Sequence, residues 1–171
     1  MKIAIQKAEL QQVPALVGLF LLVERQHETY WPLRWKLRDD IGDRYTRWIS
    51  SNLEKSDWLF AVALDGGQVV GGIAAGIMTE IPIYAYDRYA FIHDLAVTPE
   101  HRRKGIATQL MQFVGNWAGG SGVNQLRLMA AEPNAAAQRL FSRLGFRCTY
   151  HEMVLPITKS SEEHQPAGQS V

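Results

Sequence analysis

The residues best suited to chemistry fall in one run, Phe91-Ile92-His93-Asp94-Leu95-Ala96-Val97-Thr98-Pro99-Glu100-His101-Arg102-Arg103-Lys104-Gly105-Ile106-Ala107-Thr108. An apolar strand pattern ends in a turn, the turn carries a basic cluster and a glycine, and a helical pattern begins at once. Such a loop brings together backbone N–H groups, positive side chains and a helix N-terminus. That combination suits a phosphorylated ligand. Gly105 lets the backbone approach such a ligand closely, and the positive end of the following helix dipole favours its charge.

The elements that must position this run can be read from hydrophobic period. Residues 2–6 alternate as a short strand. Val13, Leu16, Val17, Phe20 and Leu21 share one face of a helix over about 11–26, with Pro14 in its first turn. Gln26 to Leu37 crowds His27, Glu28, Tyr30, Trp31, Pro32 and Trp35 into an irregular connection. A second helix, about 40–54, is capped by Asp39 or Asp40 and turns Ile41, Tyr45, Trp48, Ile49 and Leu53 inward. The period then changes to two. Trp58 to Leu64 and Gln68 to Met78 form a hairpin about Asp65-Gly66-Gly67, with Gly71-Gly72 a bulge or a close-packing point. Tyr89 to Val97 is the third strand of the meander. A helix over about 104–118 follows, then a strand from Val123 to Ala130, a helix from Asn134 to Leu144 stopped by Gly145, and a last strand or hairpin arm from Phe146 to Leu155. The order β-α-α-β-β-β-α-β-α-β predicts a mixed α/β sheet with helices on both faces and a right-handed parallel crossover between 89 and 130.

The 171 residues fit one domain with one core over 1–157, followed by a polar, disordered tail over 158–171. A formal charge of +1 argues against general nucleic-acid binding. Cys148 is the only cysteine, so no internal disulfide forms. The N-terminal residues lack the apolar run of a signal peptide. Val13 to Val23 is too short and too interrupted to span a bilayer. The expectation is a cytoplasmic protein without membrane or metal partners.

Four features in series carry a resemblance. They are the element order, the Leu95-Ala96-Val97-x-Pro99-Glu100-His101-Arg102-x-x-Gly105-x-Ala107 run, the Asn134-x-x-Ala137-x-x-Leu140-Phe141-x-x-x-Gly145-Phe146 run, and the Asp-Gly-Gly hairpin followed by Val-Val-Gly. Together they cover about residues 1–157, and on them the chain resembles the GCN5-related N-acetyltransferase (GNAT) superfamily. Tyr89 to Ala107 is also similar to bacterial small-molecule acetyltransferases, including aminoglycoside 3-N-acetyltransferases.

The resemblance implies a GNAT fold with a centrally splayed sheet and acetyl-coenzyme A as co-substrate. Leu95, Ala96 and Val97 would pair with the cofactor's pantetheine arm as an added strand does. A backbone N–H near Leu95 would polarise the acetyl carbonyl. Arg102, Arg103, Lys104, Gly105, Ile106, Ala107 and Thr108 would hold the pyrophosphate. Asn134, Ala137 and Phe141 complete the cofactor site, with Asn134 equally suited to capping its helix. Arg139 and Arg143 fit either a 3′-phosphate contact or a solvated face.

Acetyl transfer needs a neutral amine, and an alkyl amine carries its proton until roughly pH 10.4. His93 and Asp94 stand where the resemblance places catalytic groups. His93 is the expected base, because imidazole titrates near neutrality, and Asp94 would attract the cation or orient a water. Each also has a structural reading, as a packed strand histidine and as a carboxylate satisfied by backbone. Neighbours on a regular strand face opposite ways, so both reach one cleft only through a bulge. Phe141 stands where many relatives carry the Tyr that protonates the leaving thiolate, so water or Tyr150 would take that role.

The acceptor pocket would draw on Glu28, Tyr30, Trp31, Tyr84 and Tyr89, with Trp35, Tyr86, Glu24, Glu80 and Asp87 nearby in sequence. Aromatic faces and carboxylates suit a cationic amine. The same residues also fit a core and its solvated rim. The expected activity is acetylation of a primary amine on a small molecule such as an aminoglycoside, polyamine or amino-acid derivative. The alternatives are a protein or peptide N-acetyltransferase and a catalytically weak acetyl-CoA sensor. Family analogy adds a homodimer.

Overall fold

The computed structural model describes residues 2–157. Strand β1 (Ile3–Lys7) leads through a short 3-10 turn into helix α1 (Val13–Tyr30), the four-residue helix α2 (Pro32–Trp35) and helix α3 (Ile41–Asn52). The meander β2 (Trp58–Asp65), β3 (Gln68–Thr79) and β4 (Arg88–Val97) follows. Then come helix α4 (Ile106–Gly120), strand β5 (Leu126–Leu128) and helix α5 (Ala135–Arg143). One five-stranded sheet runs β1-β2-β3-β4-β5, antiparallel except for the β4–β5 pair. It is the mixed α/β sheet that the periodicity predicts, with helices on both faces.

Each face carries its own core. On one side Val13, Leu16, Val17 and Phe20 of α1 and Ile49 of α3 pack on Phe60, Val62, Ala74 and Ala96. On the other side Ile106, Leu110, Met111 and Val114 of α4 pack on Ala61, Val70, Ile73 and Ile92, with Phe141 of α5 at the margin. Gly71 and Gly72 of β3 set how closely the helices approach. A Cβ on Gly72 would lie 2.3 Å from Leu16 Cδ2, and one on Gly71 would lie 3.2–3.3 Å from Ala96 O and from Ile106 and Leu110 of α4. Adjacent residues of a strand face opposite ways, so the pair gives each helix a flat seat.

Two expectations change. Phe146 to Leu155 is not a strand, and Tyr150, Met153 and Leu155 are largely exposed. Alternation predicts which face a strand would bury, but it supplies no neighbouring edge to pair with. Here the segment is tied instead to α2, where Arg34 donates to both carboxylate oxygens of Glu152 at 3.0 and 3.1 Å. The Gln26–Leu37 connection is more helical than expected, since α1 continues to Tyr30 and α2 follows directly. The tail expected to be disordered lies outside the described residues. Among the described residues no helix is long and apolar enough to cross a membrane, and no cluster of His, Cys, Asp or Glu could hold a metal ion.

Candidate active site

The third strand of the meander carries one extra residue. Ala74 of β3 faces Asp94 and its neighbour Ala75 faces Ile92, so His93 is bulged out of the ladder. The bulge changes which face each side chain meets. Ile92 packs with the α4 core, whereas His93 and Asp94, adjacent in sequence, both turn toward α1 and α3. A regular strand would have sent one of them away.

Together with Glu24 of α1 and Tyr45 and Trp48 of α3, they line a pocket of about 300 Å³. Asp94 is 5% exposed and is the one buried acidic side chain among the described residues. Tyr45 Oη lies 3.2 Å from Asp94 Oδ1 and 3.2 Å from Glu24 Oε1. Burial, and next the charge on Glu24, push the Asp94 carboxyl up to about 7, against the opposing hydrogen bond from Tyr45. A carboxyl poised there can accept a proton near neutral pH.

His93 closes the pocket as part of an aromatic cluster. Its ring stacks on Trp58 at 5.0 Å and meets Phe91 at 5.0 Å and Trp48 at 5.7 Å edge-on. Partial burial among these rings holds the imidazole below its ordinary value, so it is neutral near pH 7. The ring packs on these neighbours and still keeps an exposed edge at the pocket.

Beyond the bulge the sheet splays. Strand β5 pairs with β4 only at Ala90, Phe91 and Ile92, whereas β3 continues along β4 to Val97. Among the described residues, the β5-side edge of β4 is therefore free from His93 onward, through Leu95, Ala96 and Val97. A free edge of extended backbone can take a linear ligand as an added strand.

The loop after that edge is tightly built. Thr98 N–H donates to Val70 O at 2.9 Å, and Arg102 Nε donates to Val97 O at 3.1 Å. His101 bridges Thr98 Oγ1, at 2.9 Å from Nδ1, and Asp65 Oδ2 of the β2–β3 turn, at 3.4 Å from Nε2. Arg103 and Gly105 adopt positive φ, 62° and 79°. Gly105 is the N-cap of α4, and nothing lies within 4 Å of where its Cβ would be. The first N–H groups of α4, on Ile106, Ala107 and Thr108, have no partner within a helix. Arg102, Arg103 and Lys104 are exposed beside them.

On α5, Asn134 Oδ1 accepts from Ala137 N–H at 3.1 Å, which is the capping role, and its amide nitrogen is left to donate elsewhere. Phe141 meets Phe146 at 5.8 Å in the α4-side core. Arg139 and Arg143 are exposed.

The residues expected for the acceptor are not gathered at the pocket. Glu28 accepts from the backbone N–H of Leu37 at 3.0 Å and so staples α1 to the chain after α2. Tyr30 accepts from Gln26. Tyr89 lies 3.8 Å beneath the guanidinium of Arg127, which also pairs with Glu80. Trp31 and Tyr84 are exposed, and neither lines the pocket. In the sequence, Tyr45 and Trp48 read only as apolar residues on a helix face. The available signal was their polar tips on an otherwise apolar stripe, together with Glu24 and His27 continuing the buried stripe of α1 beyond Phe20.

The profile of the acetyltransferase (GNAT) family matches residues 19–146. GCN5-related N-acetyltransferase 10, chloroplastic, of Arabidopsis thaliana is 27% identical over 150 residues, spanning 85% of this chain and 57% of that protein. The chain thus covers little more than half of that relative's length. The BH1408 protein of Bacillus halodurans, solved as its F44R mutant, superposes with a TM-score of 0.79 at 18% identity, covering 91% of this chain and 99% of that one. The aminoglycoside 6′-N-acetyltransferase AAC(6′)-Ih of Acinetobacter baumannii superposes with a TM-score of 0.69 at 22% identity, covering 92% of this chain and 99% of that one. At these identities the structural likeness speaks to the fold. With the profile spanning the α1–α3 layer, the bulged strand, the positive-φ loop and α5, the chain belongs to the acetyltransferase (GNAT) family.

Proposed function

We propose that this chain transfers an acetyl group from acetyl-CoA to a primary amine of a small molecule. The observation that carries the reading is the pocket in which His93 and Asp94 stand together, beside the stretch of β4 whose β5-side edge is open. One side of the bulge offers proton chemistry, and the other offers backbone that can hold a linear thioester arm.

The residues present fit acetyl-CoA. The free edge from Leu95 to Val97 suits the arm. The loop Arg102 to Thr108 suits the pyrophosphate, because its positive-φ turn and helix N-terminus gather N–H groups beside three cations. Asn134, Ala137 and Phe141 would border the arm from α5. When bound, acetyl-CoA supplies the activated acetyl thioester. The chain's own residues bind the acceptor, strip its proton and hold the two reactants together.

An ammonium entering the pocket meets Glu24 and Asp94 as counter-charges, with the aromatic ring of Trp48 beside them. In this reading Asp94, rather than the expected His93, is the base. Asp94, buried and raised toward neutrality, accepts the proton. His93 shapes the mouth as a neutral ring stacked on Trp58. The reading is tested by following thiol release from acetyl-CoA over a panel of aminoglycosides, polyamines, amino-acid amides and peptides. Release with small amines supports it, and release with peptides alone refutes the small-molecule assignment.

A further inference from the structure

The pocket contains an arrangement that accepting a proton does not by itself require. Tyr45 Oη sits between two carboxylates, 3.2 Å from Asp94 Oδ1 and 3.2 Å from Glu24 Oε1. A phenol has one hydrogen to give and lone pairs to receive another. It cannot donate to both carboxylates at once. The set is fully satisfied when it holds one proton more. Asp94 then donates to Tyr45 Oη while Tyr45 donates to Glu24, or the same chain runs in the opposite sense.

We infer that Tyr45 relays the proton taken from the acceptor amine, passing it from Asp94 in the pocket to Glu24 at its rim. The balance is simple. The ammonium N–H bond breaks and an O–H bond forms on Asp94. Asp94 gives a proton to Tyr45 Oη as Tyr45 gives its own to Glu24 Oε1. Tyr45 ends as it began, Asp94 is again a carboxylate, and one proton has moved from the amine to Glu24.

The direction follows from exposure. Asp94 is 5% exposed, whereas the Glu24 side chain is 21% exposed and its Oε2 lies 3.8 Å from His27 Nδ1, itself 22% exposed. With the acceptor seated in the pocket, Glu24 is the more exposed end of the pair and the nearer to water. Tyr45 is held for this by its ring, which packs on Phe20 at 6.0 Å and Trp48 at 5.8 Å. Burial, and then the charges of Asp94 and Glu24, push its own titration upward. It therefore stays a phenol and conducts by exchange. The titratable groups facing Asp94 are Tyr45 from α3 and Glu24 and His27 from α1, with His93 next to it on β4.

The inference rests on the acetyl-transfer reading for its amine, but its first test does not. Carboxyl-carbon NMR titration of Asp94 in the chain alone should find its midpoint lowered in Glu24→Gln by about one pH unit, because a like charge has gone. The midpoint should rise in Tyr45→Phe, because a hydrogen bond to the carboxylate has gone. In turnover, Tyr45→Phe should lower kcat about tenfold or more while KM for the amine stays within about twofold, and small buffer acids and bases should restore part of the rate. A merely structural Tyr45 would show no buffer rescue. An Asp94 midpoint unmoved in both variants, or wild-type kcat in Tyr45→Phe, overturns the relay. If the wild type acetylates no amine yet the midpoints move in opposite directions, acetyl transfer is refuted and the shared-proton network stands.

Discussion

Replacing Asp94 by Asn should stabilise the protein at alkaline pH and leave it unchanged in acid. Asn has nearly the shape of a protonated aspartic acid and no charge to desolvate. In the folded chain Asp94 holds its proton up to about 7, against an ordinary value of 3.8. A group raised in this way favours the folded state below its unfolded value, because folding then buries a neutral carboxyl. That advantage is lost as pH rises from 3.8 through 7, since the unfolded chain has already released the proton. At roughly 1.4 kcal/mol per pH unit, the interval amounts to about 4 kcal/mol. Asp94→Asn escapes this loss. Thermal melts of the two proteins at pH 4 and pH 8 should therefore coincide at the lower pH and separate by roughly 10 °C at the higher one. Acetyl transfer should fall at least about a hundredfold in the same variant, as expected when a proton acceptor is removed. Parallel pH–stability curves for the two proteins would refute the buried, raised carboxyl and the role built on it.

The remaining predictions test the cofactor side. Gly105→Ala should weaken acetyl-CoA binding by calorimetry by about fivefold or more and cost roughly 1–2 kcal/mol in stability, because φ of 79° disfavours a side chain although there is room for one. An unaltered dissociation constant would separate that turn from the phosphates. Phe141→Tyr should keep or raise kcat in steady-state turnover, since it restores a donor at the edge of the α4-side core. A large loss would mean that position 141 does not face the departing thiol.

Much of this architecture was legible because period two and period 3.6 alternate cleanly along the chain. The meander, the two-sided core and the helix-opening loop all follow from residues whose spacing leaves little choice, such as Val13-Leu16-Val17-Phe20 and Ile106-Leu110-Val114. Gly71 and Gly72 were readable as a bulge or a close-packing point, and the structure supplies the two helices that need the close packing. What stayed hidden depended on partners far away in sequence. Phe146 to Leu155 has strand-like residues but pairs with none of the sheet's open edges, and Glu152 finds Arg34 instead. The pocket was half visible. His93 and Asp94 announce themselves by type, and the bulge that turns both toward one cleft was foreseeable only as a requirement. Their third and fourth neighbours come from α1 and α3, so Glu24 and Tyr45 acquire meaning only once those helices are laid on the sheet. The aromatics expected for the acceptor lie away from this pocket. Tyr89 is on β4 itself, but its ring lies under the guanidinium of Arg127.

The most direct test of the central claim is a thiol-release assay with purified chain, acetyl-CoA and single amines, with the product identified by mass. The account predicts stoichiometric coenzyme A and a mono-N-acetylated small amine, at a rate that rises with pH through about 7 as Asp94 loses its proton. Coenzyme A release that no small amine accelerates, or that Asp94→Asn leaves untouched, would contradict it.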